Sequence, residues 1–406
     1  MNDKPYDAIV VGARCAGAPT AMLLARRGHR VLLLDRARFP SDTLSTHVVH
    51  PRGVAALARW GVRDRLAATG CPPIHTYAFD FGPFTIEGSP GSAESPAAYC
   101  ARRTVLDKLL VDAAVAAGAE LREGFAVDEL LFADDGRVLG VRGRDRGGAR
   151  VAEHARIVVG ADGRNSFVAR AVRTPAYRER EPLLAVYYSY WSGLPMNGRF
   201  ETRIRPERGF AAAPTHDGLT MLVGGWPHRE LDTHKGDAEG EFLRMLDLAP
   251  VFAARVRDAR RESRWFAAAV PNFFRRPFGP GWALVGDAGY TKDPITAQGI
   301  SDAFVDAERI AAAIAHGLAD GDFDAALGAA QRERDAHALP MYEFTCQLAS
   351  MAPPPPQMRQ LLGAVCRNAQ ASDAFVRMNA GETSPAEFFA PASVGAILEA
   401  AQVAHT

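Results

Sequence analysis

The chain opens on an apolar, β-branched run at residues 7–11 that leads straight into Gly12. A helical spacing of apolar residues follows over 16–27, then Gly28 and a second apolar run at 31–34. Two short apolar runs separated by a helical period predict a βαβ unit. Helical spacing recurs at about 51–60 and 104–117, and strand-like runs stand at 120–123, 125–132, 137–143 and 156–159. Residues 75–90 and 182–225 alternate instead, in stretches such as AVYYSYW, FETRIR and LTMLVGG, before helical spacing near 237–257. Alternation at period two predicts a separate inserted sheet. A strand at 282–285 and an Ala-rich helix over 297–316 return the chain to the first unit. The APPPP run at 352–356 stops the preceding helix, because proline lacks a donor N–H and restricts its predecessor, and only short helical pieces follow.

This pattern predicts an α/β fold: a Rossmann-like domain with an inserted, mainly antiparallel β-sheet substrate domain and C-terminal helices. The first domain is expected in three parts, 1–74, 97–174 and 277–335, the inserted domain in two, 75–96 and 175–276, and a helical region over 336–406. A length of 406 residues supports two such domains.

Charge narrows the partners. With 47 basic and 47 acidic residues, no global field draws the chain to nucleic acid or anionic lipid. Five scattered cysteines without CxxC spacing suggest neither a disulfide framework nor a zinc site, so no metal is expected and a reducing cytoplasm fits. The N-terminus lacks the longer apolar region of a signal peptide, and no apolar run approaches the ~20 residues of a membrane span.

Four dispersed motifs carry candidate chemistry. The first is VVGARCAG, with Asp35 after the second strand. Glycine is needed where strand turns sharply into helix, where backbone nears a pyrophosphate and where helix packs on sheet. Gly12 and Gly17 fill the first and third roles, while Arg14 takes the second, where a Cβ should obstruct the approach. Asp35 stands 23 residues after Gly12, close to the position of a carboxylate that accepts from ribose hydroxyls. The second motif, RTVLDKLL at 103–110, begins a helix; its bland reading is a solvated Arg103 with Asp107 and Lys108 on the outer face. The third, GADGRNS at 160–166, equally suits a simple turn at Asp162 and Gly163. In the fourth, WALVGDAGYTKDPITAQGI at 282–300, Asp287 follows Gly286 just past a strand, and a proline-led turn opens a long helix whose N-terminal end attracts negative charge.

In this order and spacing, across roughly residues 5–320, the four resemble the FAD-binding signature of the p-hydroxybenzoate hydroxylase-like superfamily, which includes aromatic hydroxylases, flavin halogenases and geranylgeranyl reductases. The resemblance implies one FAD. Gly12, Ala13, Arg14 and Gly17 inherit the pyrophosphate loop, Asp35 the ribose, and Arg103 the phosphate and ribityl region. Asp162 and Gly163 match a DG motif linked to FAD and to the reducing nicotinamide, and Gly286 and Asp287 match the ribityl and pyrophosphate contact. Pro294, Gly299 and Ile300 match the loop and helix start beneath the flavin ring, and Arg36 and Val127 complete the implied cofactor set.

From this resemblance follows an NAD(P)H-dependent monooxygenase, with NAD(P)H docking transiently and a flavin hydroperoxide oxidising an aromatic or polyketide-like small molecule. His47 and His50 of STHVVHPRG are candidate proton relays against the commoner case of loop histidines held by hydrogen bonds. Trp226 of GGWPH is a candidate pocket residue, whereas Tyr187, Tyr188, Tyr190 and Trp191 suit ordinary sheet packing. Lys292 suits a solvated lysine and Cys15 a small packing residue. The competing readings are a reductase of isoprenoid double bonds, suggested by DPITAQGI, and a non-catalytic flavoprotein. A halogenase fits less well, because residues 36–107 hold no lysine and no WxWxIP stretch occurs. Oligomeric state, substrate and the choice of NADH or NADPH stay open.

Overall fold

The computed structural model describes residues 4–234 and 236–403. Its organising element is a sheet in which parallel strands Trp282–Leu284, Arg150–Gly160, Tyr6–Val11, Val31–Asp35 and Glu120–Glu123 lie side by side in that order. An antiparallel strand, Phe278–Gly279, closes one edge. Parallel strands need cover on both faces, which explains why their sequences are apolar runs instead of alternations. Ala8, Val10 and Leu33 point into one core with Met22, Leu110 and Phe304 from the helices Gly17–Ala25, Arg103–Ala116 and Gly299–Asp320. Ile9, Leu32 and Val158 point into the opposite core, closed by Leu130 and Val141 of an antiparallel pair, Ala126–Phe132 and Val138–Arg144.

A second sheet is mainly antiparallel. Strand Leu184–Ser192 pairs with Thr220–Pro227, which pairs with Arg208–Pro214 and then Arg199–Arg205. The early strand Thr76–Asp80 joins Arg199–Arg205 in parallel, so the two alternating segments of sequence meet in one sheet. A smaller sheet, Ala176–Arg180, Asn272–Arg275 and Tyr290–Thr291, bridges towards the first sheet's carboxyl edge.

Three details differ from the sequence pattern. The long helix starts at Gly299, because Ala297 adopts a left-handed conformation, φ 52°, that helix cannot include. The helical stretch near 237–257 is two helices, Ala238–Leu246 and Pro250–Arg257, since Pro250 favours a first turn and not a helix interior. Helix Phe323–Ala349 runs unbroken through the expected boundary at 335/336 and carries Pro340 inside it. No glycine or capping residue stands at 335–336 to end it.

Candidate active site

The site is assembled where the parallel strands end. Gly12 has φ +101°, which glycine enters without a steric cost, and a Cβ there would lie 2.4 Å from the Ala161 carbonyl oxygen. A Cβ on Gly17 would lie 1.7 Å from the Gly12 carbonyl oxygen. Glycine at both places lets helix Gly17–Ala25 close onto the strand, and no side chain caps that helix, which leaves its N-terminal end for an anion. Asp35 accepts from the Ala13 N–H at 2.8 Å and the Ala37 N–H at 2.7 Å, which fixes its carboxylate against the loop with lone pairs to spare. Arg36 is exposed beside it. Val127 is half-buried two residues past Phe125, whose N–H donates to the Asp35 carbonyl.

The side chain of Arg14 explains why arginine is tolerated in the loop. Its guanidinium reaches the 39–42 segment, donating to Asp107 Oδ2 at 2.6 Å and Ser41 Oγ at 2.8 Å and lying over the Phe39 ring. Arg103 donates to the same carboxylate twice, and Cys15 Sγ approaches it at 3.3 Å. Arg103 and Asp107 are therefore buried, contrary to the outer-face reading; only Lys108 turns outward, to Asp112. Burial pushes the Cys15 thiol far up, which leaves it a packing residue.

Asp162 uses its carboxylate locally: Ser166 Oγ donates to it at 2.5 Å and the Phe167 N–H at 2.6 Å, so it anchors the helix Phe167–Ala171. The turn at Asp162 is real, and Gly163, φ +79°, faces open space. Across the cleft Gly286, φ +60°, donates its N–H to Asp306 at 2.8 Å, and a Cβ there would strike Ala16 at 2.7 Å. This presents Asp287, whose side chain is accessible from the cleft although protein surrounds it. Desolvation raises its carboxyl pKa against the lowering pull of Arg103, Lys292 and Arg164.

The loop before the long helix is held from behind. Asp293 accepts from the Ile295 N–H at 3.0 Å while its own N–H donates to Asn272 Oδ1. Lys292 is buried, not solvated: it pairs with Asp302 and donates to Tyr290 Oη at 2.7 Å, because Asp302 lies on the first turn of the helix directly behind the loop. Arg52 also pairs with Asp302. Burial pushes the Asp302 carboxyl up, and Lys292 and Arg52 outweigh this and hold it below the usual carboxylate range. Pro294 leads a short 3-10 turn, Ile300 is buried, and a Cβ on Gly299 would meet nothing within 4 Å. The helix Gly299–Asp320 has no side-chain cap.

Both histidines are structural parts of this wall. His50 Nε2 lies 3.1 Å from the Thr296 carbonyl, which only accepts, so Nε2 carries the proton and Nδ1 accepts from Tyr77 Oη at 2.8 Å. Desolvation lowers its pKa to about 3. His47, at φ 64°, sets Nε2 2.7 Å from Tyr190 Oη, and desolvation lowers it too to about 3. Burial thus disfavours the charged form of both rings, and His47 Nδ1 is buried without a hydrogen-bond partner among the described residues.

Beside the loop opens a cavity of about 1100 Å³. His50, Thr296 and Ala297 form its inner end, Phe79, Phe200 and Val223 of the second sheet its floor, and Phe344, Met358 and Phe389 of the C-terminal segment its roof. Trp226 is not part of it. On its strand Met221, Val223 and Gly225 face the cavity. Gly224 borders it, but its Cβ direction points at Met245 and Phe242, so the even position 226 likewise faces away and stacks on Tyr187, centroids 4.8 Å apart. Two participants escaped the sequence reading. Asp107 was signalled by its i,i+4 spacing from Arg103. The C-terminal roof had no local signal, because short helices of mixed composition do not reveal which sheet they cover.

These features fit a dinucleotide carrying a flavin: two uncapped helix starts, a carboxylate held against the glycine loop, and open space at Gly163 and Gly299. Among the described residues no group of three or more His, Cys, Asp or Glu could hold a metal ion, and no helix is long and apolar enough to cross a membrane. A family model described as "FAD binding domain" matches residues 5–345. Digeranylgeranylglycerophospholipid reductase 2 of Methanopyrus kandleri is 28% identical over 313 residues, 74% of either chain. Rifampicin monooxygenase of Streptomyces venezuelae is 26% identical over 383 residues, 88% of this chain and 74% of that protein. The structure of the myxobacterial chondrochloren halogenase CndH superposes with a TM-score of 0.79 at 24% identity, over 98% of this chain and 97% of that one.

Proposed function

Since this chain belongs to the FAD binding domain family, within the p-hydroxybenzoate hydroxylase-like superfamily, we propose that it is an NAD(P)H-dependent monooxygenase hydroxylating an aromatic or polyketide-like small molecule. The cofactor is FAD. The observation that carries the finer reading is the apolar cavity that ends on the Thr296–Ala297 loop, which would put an apolar substrate against the flavin's position. The likeness to rifampicin monooxygenase supports it.

When bound, FAD supplies hydride acceptance and the activation of dioxygen. The chain's own residues do the rest. Gly12, Ala13 and Gly17 shape the loop for the pyrophosphate, Asp35 accepts from the ribose, and Asp287 from the ribityl hydroxyls, while Arg103 balances phosphate charge. The uncapped start of Gly299–Asp320 favours negative charge at the flavin's pyrimidine edge. His50 holds the Thr296 carbonyl, and so the turn beneath the ring, in one position. The phenylalanine walls keep water away from the reacting centre.

A second reading, a reductase of carbon–carbon double bonds, is favoured by the likeness to the Methanopyrus reductase. Labelled dioxygen separates the two. The monooxygenase incorporates one labelled atom into product, whereas product formed under argon, or in air without label, establishes the reductase.

A further inference from the structure

The cavity also carries a statement about what enters it, and this rests on the proposed reading only for the reaction. We propose that the substrate is an uncharged, flat, multi-ring molecule, and that single-ring phenols are not its class.

Size is the first argument. Even if the flavin's three fused rings claimed about 150 Å³ each, on the scale of a cavity that takes up one benzene, more than half of the 1100 Å³ would remain. A single phenol would leave most of that space to water, against apolar walls.

Shape is the second. On the sheet floor Gly209 stands directly opposite Gly225, and Ala211 opposite Val223, so the middle of the floor carries little side chain. A Cβ on Gly209 would already reach within 3.4 Å of Met351 in the roof. Aromatic side chains stand on floor and roof alike, as in the edge-to-face pair of Phe79 and Phe375, and such walls suit flat rings. Methionines of the roof can adapt to the outline of a bulky ligand.

Charge is the third. Three of the four arginines that line the cavity have acidic partners: Arg205 donates to Asp80 at 3.1 Å, Arg208 to Glu230 at 2.8 Å, and Arg180 pairs with Glu343, while the exposed Arg359 donates to the Pro354 carbonyl at 3.0 Å. Inside, large apolar side chains are left exposed to the cavity, Ile295 at 37% and Leu348 at 36%. The apolar interior therefore favours an uncharged body in the ligand, and Arg359 at the exposed margin is the one lining arginine without an acidic partner among the described residues.

The test uses the FAD-loaded protein and reads ligand binding from the perturbation of the flavin spectrum, without turnover. Phenol, 1-naphthol, 1-hydroxypyrene and the acyclic geranylgeraniol are the probes. Because each added ring buries more apolar area, 1-hydroxypyrene should bind at least about tenfold more tightly than phenol, with geranylgeraniol weaker than 1-hydroxypyrene. Phenol binding as tightly as 1-hydroxypyrene, or geranylgeraniol binding more tightly, overturns the proposal. Leu348→Trp, which fills the cavity from the roof, should weaken 1-hydroxypyrene about tenfold with FAD content retained; unchanged binding overturns the placement. Should that variant lose FAD, Gly209→Leu fills the same space from the floor and is read the same way. Size-dependent binding without incorporation of labelled oxygen would leave this inference standing and remove the monooxygenase reading. Labelled phenol product with no size preference would do the reverse.

Discussion

Arg103 and Asp107 face each other one helical turn apart and lock through two N–H···O bonds, 3.0 and 3.1 Å long, in a place where the carboxylate has no access to solvent. The same carboxylate holds Arg14 at 2.6 Å. Two arginines beside the glycine loop thus share one acid.

Removing that acid should be costly. Asp107→Ala leaves the buried Arg103 without its acceptor and takes one of several from Arg14, and breaking a buried pair in this way costs about 3–5 kcal/mol. The expected outcome is a lower urea midpoint and loss of FAD on desalting. Asp107→Asn keeps the shape but not the charge, and should fall between wild type and Ala in both measurements.

Asp287→Ala acts chiefly on the cofactor. Its carboxylate attracts Arg103, Lys292 and Arg164 at a distance but makes no hydrogen bond or ion pair of its own among the described residues, so fold stability should change less than at Asp107. FAD affinity should weaken by about 1.5–3 kcal/mol, the worth of hydrogen bonds to a charged acceptor. Titration of FAD into the stripped protein measures it, and an unchanged affinity removes Asp287 from the site.

The glycines separate the two kinds of requirement. At Gly17 a Cβ would sit 1.7 Å from backbone oxygen, so Gly17→Ala should prevent accumulation of folded protein. At Gly299 a Cβ meets nothing within 4 Å, so Gly299→Ala should leave the thermal midpoint of the FAD-free protein unchanged or raised, within about 1 kcal/mol. Its FAD affinity should nonetheless fall, because on the proposed reading the open space it fills is that for the flavin ring.

His50 gives a pH signature. Its folded pKa, about 3, lies below the ordinary 6.5, so the unfolded chain binds a proton there that the native protein refuses. Its contribution to stability is complete above pH 6.5 and is lost progressively as pH falls towards 3. His50→Gln keeps a donor for Thr296 and an acceptor for Tyr77 but does not titrate. The stability difference between wild type and variant should therefore shift against wild type by about 1.4 kcal/mol per pH unit below 6.5. Urea titrations between pH 8 and pH 5 read it, and parallel curves would contradict the buried neutral imidazole.

The parallel core and the cofactor loop were legible because both are local. The runs 7–11 and 31–34 must be apolar to be covered twice, and Gly12 and Gly17 must be glycine whatever lies elsewhere. The pairing of residues 76–80 with 199–205 was legible only as shared alternation. What stayed hidden depends on contacts distant in sequence. Lys292 reads as a surface lysine until Asp302 and Arg52 are brought behind it, and Trp226 reads as a pocket residue until strand parity turns it away. Phe375 and Phe389 gain their meaning from a floor laid down more than 150 residues earlier.

The order of strands in the parallel sheet has a consequence for how the protein is made. Strand Tyr6–Val11 emerges from the ribosome first, yet its neighbour Arg150–Gly160 and the strand beyond, Trp282–Leu284, arrive much later. At roughly 5–20 residues per second, the interval before Leu284 appears is on the order of tens of seconds. Through that time the apolar edge of the nascent sheet waits for cover, a demanding, high contact-order route. Gly12 and Asp287, proposed above to hold the cofactor from either side, are separated by the same delay. On that proposal FAD would be held from both sides only after most of the chain has been synthesised, which would place cofactor capture late in folding.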